Sequence, residues 1–140
     1  MRVVDVVGNM DKLLQSHFLA LYCMVLADGI IDSLELQTLY EIGVKDYGLT
    51  HEEILEAVNN SGTSFTIPES LEGKIRLLHD MAKIAWADGS IDDTELRLLK
   101  KYIVRAGFQS ENADAISEYI LESVHNGMSA EEITRQITQN

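Results

Sequence analysis

The chain has 140 residues, of which 46% are hydrophobic and 24% charged, and this composition predicts one globular domain, residues 1–140, with an ordinary apolar core. The formal net charge of −12, without a local basic patch, argues against nucleic acid and anionic membranes as partners but suits cations and basic proteins. No apolar run is long enough to span a bilayer, no targeting segment is recognisable and the single Cys23 cannot form an internal disulfide, so we expect a cytoplasmic protein in which Cys23 packs against apolar neighbours.

Apolar residues recur at helical spacing along most of the chain, and no alternating strand pattern occurs. An apolar lead-in occupies residues 1–9, and the first helix is predicted over residues 10–27. Its broad apolar face is typical of a central, largely buried helix. The second helix is predicted over residues 32–47. The third follows with Thr50 as its N-cap, and residues 59–66 form the longest polar loop.

The second part of the chain repeats this order of elements. A fourth helix is predicted from Pro68, in its first turn, to Ala87, and a fifth over residues 92–106. Ser110 is the expected N-cap of a sixth helix, and a capping box at Ser129 opens a last one. The sequence therefore predicts four further helices after the polar loop.

The predicted fold is all-α, with about seven helices. Each half reads as helix, acidic turn, helix, glycine and helix, over residues 10–60 and 69–124 approximately, and the C-terminal helix is extra. We expect the two three-helix halves to be related by a pseudo-twofold axis, with the first and fourth helices packed together at the centre. All of these elements belong to a single domain.

A ten-residue motif, A-D-G-x-I-D-x-x-E-L, occurs at residues 27–36 and again at residues 87–96, 60 positions later. Most of it is helix punctuation. The glycine is a left-handed stop after a helix, the second aspartate is an N-cap, and the glutamate three positions later completes a capping box. These capping residues are Asp32 and Glu35 in the first copy and Asp92 and Glu95 in the second.

The first aspartate of each copy, Asp28 or Asp88, is not explained by this punctuation. Each follows a helix, where the helix dipole disfavours negative charge. Two readings stay open: the N-terminus of the next helix offsets the charge, or a bound cation does. The motif matches only the second half of a calcium-binding EF-hand loop, and apolar residues occupy the first ligand positions, so a complete EF-hand is rejected.

A cation site shared by the two turns is the functional hypothesis from these residues. If the pseudo-twofold brings the turns together, their carboxylates converge, and oxygen-only ligands suit magnesium, calcium or manganese. The other reading is that the acids only cap helices and the turns lie apart. The candidate metal ligands are Asp28, Asp32, Glu35, Asp88, Asp92 and Glu95.

Catalysis finds little support in the sequence. The chain has no nucleophile-elbow, phosphate-loop or metalloprotease motif, so we expect it not to be an enzyme, with no catalytic residues. His17 and His79 lie near the inner faces of their predicted helices. Both are expected to be partly buried histidines with satisfied hydrogen bonds.

At the doubled motif the chain resembles the TerB-like (tellurite-resistance TerB) family. The residues that carry the likeness are Asp28, Ile31 and Asp32 in the first copy and their counterparts Asp88, Ile91 and Asp92 in the second, each with its glycine and glutamate. The resemblance implies an all-helical fold with internal twofold repetition, acidic metal-binding residues and a stress-response or scaffolding role. The alternative function is a protein-interaction module whose acidic surface binds a basic partner, with the turns purely structural.

Overall fold

A computed structural model describes residues 12–59 and 66–139, and it is built from α-helices. The helices are α1 Lys12–Val25, α2 Ser33–Tyr47, α3 His51–Asn59, α4 Leu71–Ala85, α5 Asp93–Arg105, α6 Ala113–His125 and α7 Ala130–Thr138. A short 3-10 turn, Ser110–Asn112, precedes α6, and no strand occurs in the described ranges. The prediction of an all-α chain with seven helices is confirmed. The predicted lead-in, and most of the polar loop after α3, lie outside the described residues.

The helix ends follow the predicted punctuation in most places. Asp32 and Asp92 are the N-caps of α2 and α5, and Ser129 forms a capping box at the start of α7. The C-cap of α2 is Gly48, whose φ of 66° lies in the left-handed region that glycine adopts without steric cost. Local sequence chemistry therefore sets these boundaries, as expected.

Two predicted helix starts are wrong. Pro68 lies before α4, which is capped by Ser70 accepting a hydrogen bond from the Gly73 N–H group at 3.0 Å. Ser110 does not cap α6 but begins the 3-10 turn, and α6 starts at Ala113 without a side-chain cap. Both errors have one cause. A hydroxyl or proline residue indicates that a helix begins nearby, but it does not show how many turn residues precede the first α-helical hydrogen bond.

The core is organised around α1 and α4, which contact each other. Phe18 and Leu21 of α1 and Leu78 and Met81 of α4 are fully buried. Helix α1 contacts α2 and α3, and α4 contacts α5 and α6 in the matching way. This contact pattern is unchanged when the two halves are exchanged, while the rotation that would relate them stays a prediction.

The cross-contacts between the halves position the acidic turns. Helix α2 contacts α4, and α5 contacts α1, so the turn of each half lies against the other half. The lone cysteine departs from expectation, because Cys23 is exposed on α1 and does not pack inside the core. Within residues 12–59 and 66–139, none of the helices combines the length and the apolar character that crossing a membrane requires.

Candidate functional site

The first aspartate of each motif hydrogen-bonds within its own turn. Asp28 Oδ1 accepts a hydrogen bond from the Ile30 N–H group at 3.0 Å, and Asp88 Oδ1 accepts one from the Ser90 N–H group at 3.1 Å. Between each pair lies a glycine with positive φ, which reverses the chain after α1 and after α4. The two aspartates that helix punctuation left unexplained therefore have a local structural role, namely to stabilise the turns.

The second aspartate of each motif caps the following helix. Asp32 Oδ1 accepts hydrogen bonds from the Leu34 and Glu35 N–H groups, at 2.8 and 3.0 Å. Asp92 Oδ1 accepts one from the Glu95 N–H group at 2.8 Å. Hydrogen bonding from Thr94, ahead of the backbone hydrogen bonds, lowers the pKa of the Asp92 carboxyl below its usual value. Both N-caps form as the motif predicts.

The capping glutamates of the two copies differ. Glu95 Oε1 accepts a hydrogen bond from the Asp92 N–H group at 3.0 Å, which completes the capping box of α5. In α2 only half of the box forms: Asp32 caps the helix, but the structure describes no returning hydrogen bond from the Asp32 N–H group to Glu35. The carboxyl group of Glu35 instead lies close enough to Glu95 for a hydrogen bond between the two acids.

Three carboxylates from the two turns meet at one place. Oxygen atoms of Asp32, Glu35 and Asp88 lie within 4.8 Å of one another, and Glu95 adjoins them through Glu35. The two glutamates are buried, with exposed fractions of 5% and 3%, whereas Asp32 is half-buried and Asp88 is exposed. We call these four residues the acidic cluster; its closed end is formed by the glutamates and its mouth by the aspartates.

Two of the six predicted ligands stand apart from this group. Asp28 and Asp92 are exposed and are not among the three carboxylates that meet. The arrangement is therefore asymmetric: the first half supplies an N-cap and a glutamate, and the second half supplies a turn aspartate and a glutamate. A motif that occurs twice in nearly identical form gives no sign of this difference.

The acidic cluster holds negative charge that the fold does not neutralise. Burial, the hydrogen bond with Glu95 and the neighbouring carboxylates together raise the pKa of Glu35 from 4.5 to about 9. Burial also raises the pKa of Glu95. The Oε2 atom of Glu95 is buried and accepts no hydrogen bond from a described N–H or hydroxyl group, so beyond its capping box the Glu95 carboxyl group has only the proton of Glu35 as a donor. Two adjacent buried carboxyl groups need a positive charge between them, either a proton on Glu35 or a cation.

The oxygen atoms of the cluster divide into two sets. Hydrogen bonds from the turns fall on a single oxygen of each carboxylate: Oδ1 of Asp32, Oδ1 of Asp88 and Oε1 of Glu95. An ionised carboxylate has two oxygens and can accept on both. The second oxygen of each group therefore stays available to a ligand without loss of the cap or the turn.

This donor set fits a hard divalent cation. Carboxylate oxygens are the ligands that calcium, magnesium and manganese prefer, and a cation would take the place of the Glu35 proton beside the buried Oε2 atom of Glu95. Calcium requires six to eight oxygen ligands. Four carboxylates can meet this number if some bind through both oxygens or if water molecules complete the coordination shell. The residues that would hold the ion are Asp32, Glu35, Asp88 and Glu95.

A second polar group, which the sequence did not predict, lies between α1, α2 and α4. Asp80 is only 1% exposed, and it accepts hydrogen bonds from His17 Nε2 at 2.8 Å, from His79 Nδ1 at 2.9 Å and from the Tyr47 hydroxyl at 3.4 Å. Burial alone would raise the pKa of Asp80, but the hydrogen bonds from the two histidines lower it below its usual value. The two histidines are thus hydrogen-bonded, as expected of them.

The signal for this network in the sequence is weak. Asp80 shares a face of α4 with the buried residues Leu77 and Ile84, but its partner His17 is 63 positions away in the sequence. The network joins three helices through one carboxylate, and the second ring nitrogen of His79 extends it to the backbone carbonyl of Met128 at 3.2 Å. Its position supports a role in fixing the packing of α1, α2 and α4.

Comparisons with models of protein families, with curated proteins and with solved structures found no match to this chain. The likeness to the TerB-like family therefore rests on the doubled motif alone and stays a prediction.

Proposed function

We propose that this chain binds a divalent cation, magnesium, calcium or manganese, weakly and reversibly between its two acidic turns. One observation carries the proposal: carboxyl groups from both turns meet in the acidic cluster, where the buried Oε2 atom of Glu95 accepts no hydrogen bond from a described N–H or hydroxyl group. A cation bound to the second oxygens of these groups would replace the proton that Glu35 otherwise retains, and it would neutralise the charge that burial penalises.

The proposed affinity is low because the mouth of the cluster is open to water. Asp88 is exposed and Asp32 only half-buried, so two of the four ligands stay solvated and gain little from a drier environment. Sites built from few and mobile carboxylates bind calcium with dissociation constants of about 0.1 to 1 mM. Such a site responds to changes in cation concentration and does not retain its ion permanently.

The resemblance to the TerB-like family extends the proposal to a non-catalytic role. In that role the cation stabilises the contact between the two halves, and the domain serves in a scaffold or a stress response. The contacts of α2 with α4 and of α5 with α1 support the first part, since the acidic cluster takes residues from both halves.

The test is the thermal stability of the wild type in chelator and in 10 mM calcium, magnesium or manganese chloride. A cation that binds only the folded state stabilises it by about 1.4 to 2.7 kcal/mol when its concentration is 10 to 100 times the dissociation constant. For a domain of this size we expect the melting temperature to rise by about 4 to 10 °C. The Glu35→Gln/Asp88→Asn variant should not respond to the cation.

The control variant is Glu118→Gln, which removes one negative charge from an exposed position on α6, outside the cluster, and should keep the full response. Manganese adds a measurement that does not depend on stability, because its paramagnetism broadens the NMR signals of residues close to it. Signals from residues 28–36 and 88–96 should broaden first. The proposal fails if no cation raises the melting temperature and manganese broadens signals without regard to position.

That failure would favour the other function considered from the sequence, in which the acidic surface binds a basic protein and the turns are purely structural. Its supporting observation is the net charge of −12. Capture of a basic partner that is lost on reversing surface acids, yet is indifferent to chelator, would distinguish it.

A further inference from the structure

The exposed apolar residues are concentrated near the first acidic turn. Eight large apolar side chains are exposed in the part of the chain that the structure describes, and half of them lie within nine consecutive residues. These four are Leu26, Ile30, Ile31 and Leu34. Ile30 is 70% exposed, an unusual environment for an isoleucine in a folded domain. Clustered exposed apolar residues mark an interaction surface, whereas scattered ones do not.

The second copy of the motif does not present such a surface. Ser90 and Thr94 stand where the first copy has Ile30 and Leu34, and the counterpart of Ile31 is half-buried. The turns otherwise have the same backbone geometry and the same N-caps. The apolar residues of the first turn are therefore not required for forming this kind of turn.

A groove adjoins these residues, between the end of α1 and the first turns of α5. It is open to solvent and has a volume of about 370 Å³. Its lining includes the apolar residues Leu26, Ala27 and Leu98 and the basic residues Arg97 and Lys101. We call this the α1–α5 groove. An isolated apolar groove on a folded domain costs free energy that a bound partner recovers.

The charge of the groove is opposite to the charge of the chain. The sequence has 23 acidic and 11 basic residues, so a basic side chain has many possible partners. Nevertheless, no described carboxylate forms an ion pair with Arg97 or Lys101, whereas Lys100 on the same helix pairs with Asp114 at 2.9 Å. The two cations are one helical turn apart, which places them side by side along the groove.

We propose that the α1–α5 groove, together with the exposed apolar residues of the first turn, binds an amphipathic helix of a partner protein that carries acidic residues along one edge. The groove lies between two helices, and a third helix laid along it would bury its own apolar stripe on Leu26 and Leu98. Acidic residues four positions apart on that helix match the spacing of Arg97 and Lys101. A basic helix would instead meet two unpaired cations, and this repulsion excludes it.

The experiment is a selection from a phage-displayed library of 16-residue amphipathic helices, in which the positions that flank the apolar stripe vary over acidic, basic and neutral residues. We expect enriched peptides to carry glutamate or aspartate at pairs of flanking positions. Measured by fluorescence anisotropy, an enriched peptide should lose at least tenfold in affinity on the Arg97→Glu/Lys101→Glu variant. Its affinity for the wild type should also fall as salt is added.

Matched variants separate the groove from general effects of charge and apolar area. Leu26→Ser removes an apolar residue of the groove, and Leu55→Ser removes an exposed leucine of α3 outside it. Lys45→Glu reverses a cation on α2 outside the groove. Of these three variants, only Leu26→Ser should bind the selected peptides more weakly. Melting temperatures of all variants show that each one folds.

Three outcomes would overturn the proposal. These are enrichment of peptides without an acidic preference, no enrichment of any peptide, and peptide binding that is unaffected by Arg97→Glu/Lys101→Glu. Sedimentation of the wild type tests whether the groove binds a second copy of the chain. A dimer that dissociates in the Arg97→Glu/Lys101→Glu variant would show that it does, and would also overturn the proposal. The selection is carried out both with and without chelator. Its results therefore do not depend on whether the acidic cluster binds a cation.

Discussion

Replacing Glu35 with glutamine should make the cation-free protein more stable at neutral and alkaline pH. The pKa of Glu35 is about 9 in the folded chain, whereas its ordinary value is 4.5. Between these pH values the unfolded chain releases the proton and the folded chain keeps it. The contribution of Glu35 to the stability of the wild type is therefore full below pH 4.5 and is lost as the pH rises toward 9. Glutamine imitates the protonated acid and does not titrate.

The size of the effect follows from one proton. A single group that is protonated only in the folded state changes the free energy of unfolding by at most about 1.4 kcal/mol per pH unit. From pH 5 to pH 8 the change in the free energy of unfolding would amount to about 4 kcal/mol for a group fully excluded from water. The aspartates at the mouth of the cluster are in contact with water, which reduces the effect by about half. We expect a difference of about 2 kcal/mol at pH 8.

The assay is urea unfolding of both proteins in chelator at pH 5, 6, 7 and 8. Subtracting the wild type from Glu35→Gln removes the contributions of groups that both proteins share, including the histidines. The difference should be near zero at pH 5 and should grow with pH in favour of the variant. Adding a divalent cation at pH 8 should restore the wild type and leave the variant unchanged. A difference that stays constant with pH would refute the reasoning, because Glu35 would then be ionised throughout.

Three further substitutions test the packing that holds the cluster in place. Asp80→Asn should cost about 3 to 5 kcal/mol, measured by urea unfolding at pH 7, because it removes a buried charge to which two histidines donate. Gly43→Ala should cost about 1 to 3 kcal/mol in the same assay, since a Cβ atom at this position would lie 2.8 Å from Cγ1 of the buried Ile54. Trp86→Phe removes the hydrogen bond that the indole donates to Leu121 O at 2.9 Å and should cost about 1 to 2 kcal/mol, seen as a lower melting temperature.

Asp80→Asn has a matched control in the chain. Asp114→Asn breaks a solvent-exposed ion pair with Lys100, so it should change stability by less than about 1 kcal/mol. If Asp114→Asn destabilises as much as Asp80→Asn, burial is not the cause.

The local chemistry of the sequence predicted the helices and most of their ends. Asp32, Asp92 and Ser129 cap the helices that they were expected to cap, because an N-cap hydrogen bond reaches only two or three residues along the chain. Pro68 and Ser110 failed as markers since each sits in an extra stretch of turn whose length depends on the tertiary fold. Predictions of hydrogen bonds between residues within one helical turn were therefore more accurate than predictions that depended on the tertiary path of the chain.

Long-range proximity was out of reach for the same reason. The identical position of Glu35 and Glu95 in the motif predicts identical capping boxes, yet only Glu95 forms one. The residues around each glutamate depend on how α2 and α5 pack against the opposite half of the chain. The spacing of residues within one motif carries no information about this packing. Asp80 shows the same limit, because its partner His17 is 63 positions away in sequence.

The structural and functional interpretations of the doubled motif are compatible, although the sequence presented them as alternatives. Oδ1 of each aspartate at the mouth of the cluster accepts hydrogen bonds from backbone N–H groups, as the structural interpretation requires. Glu95 likewise uses Oε1 for its capping box, and its buried Oε2 accepts no hydrogen bond from a described N–H or hydroxyl group. A carboxylate that is held by one oxygen presents the other in a fixed direction, which is the preorganisation that a binding site needs. Helix capping is therefore what would position the ligands, and the loss of a cap should weaken cation binding and stability together.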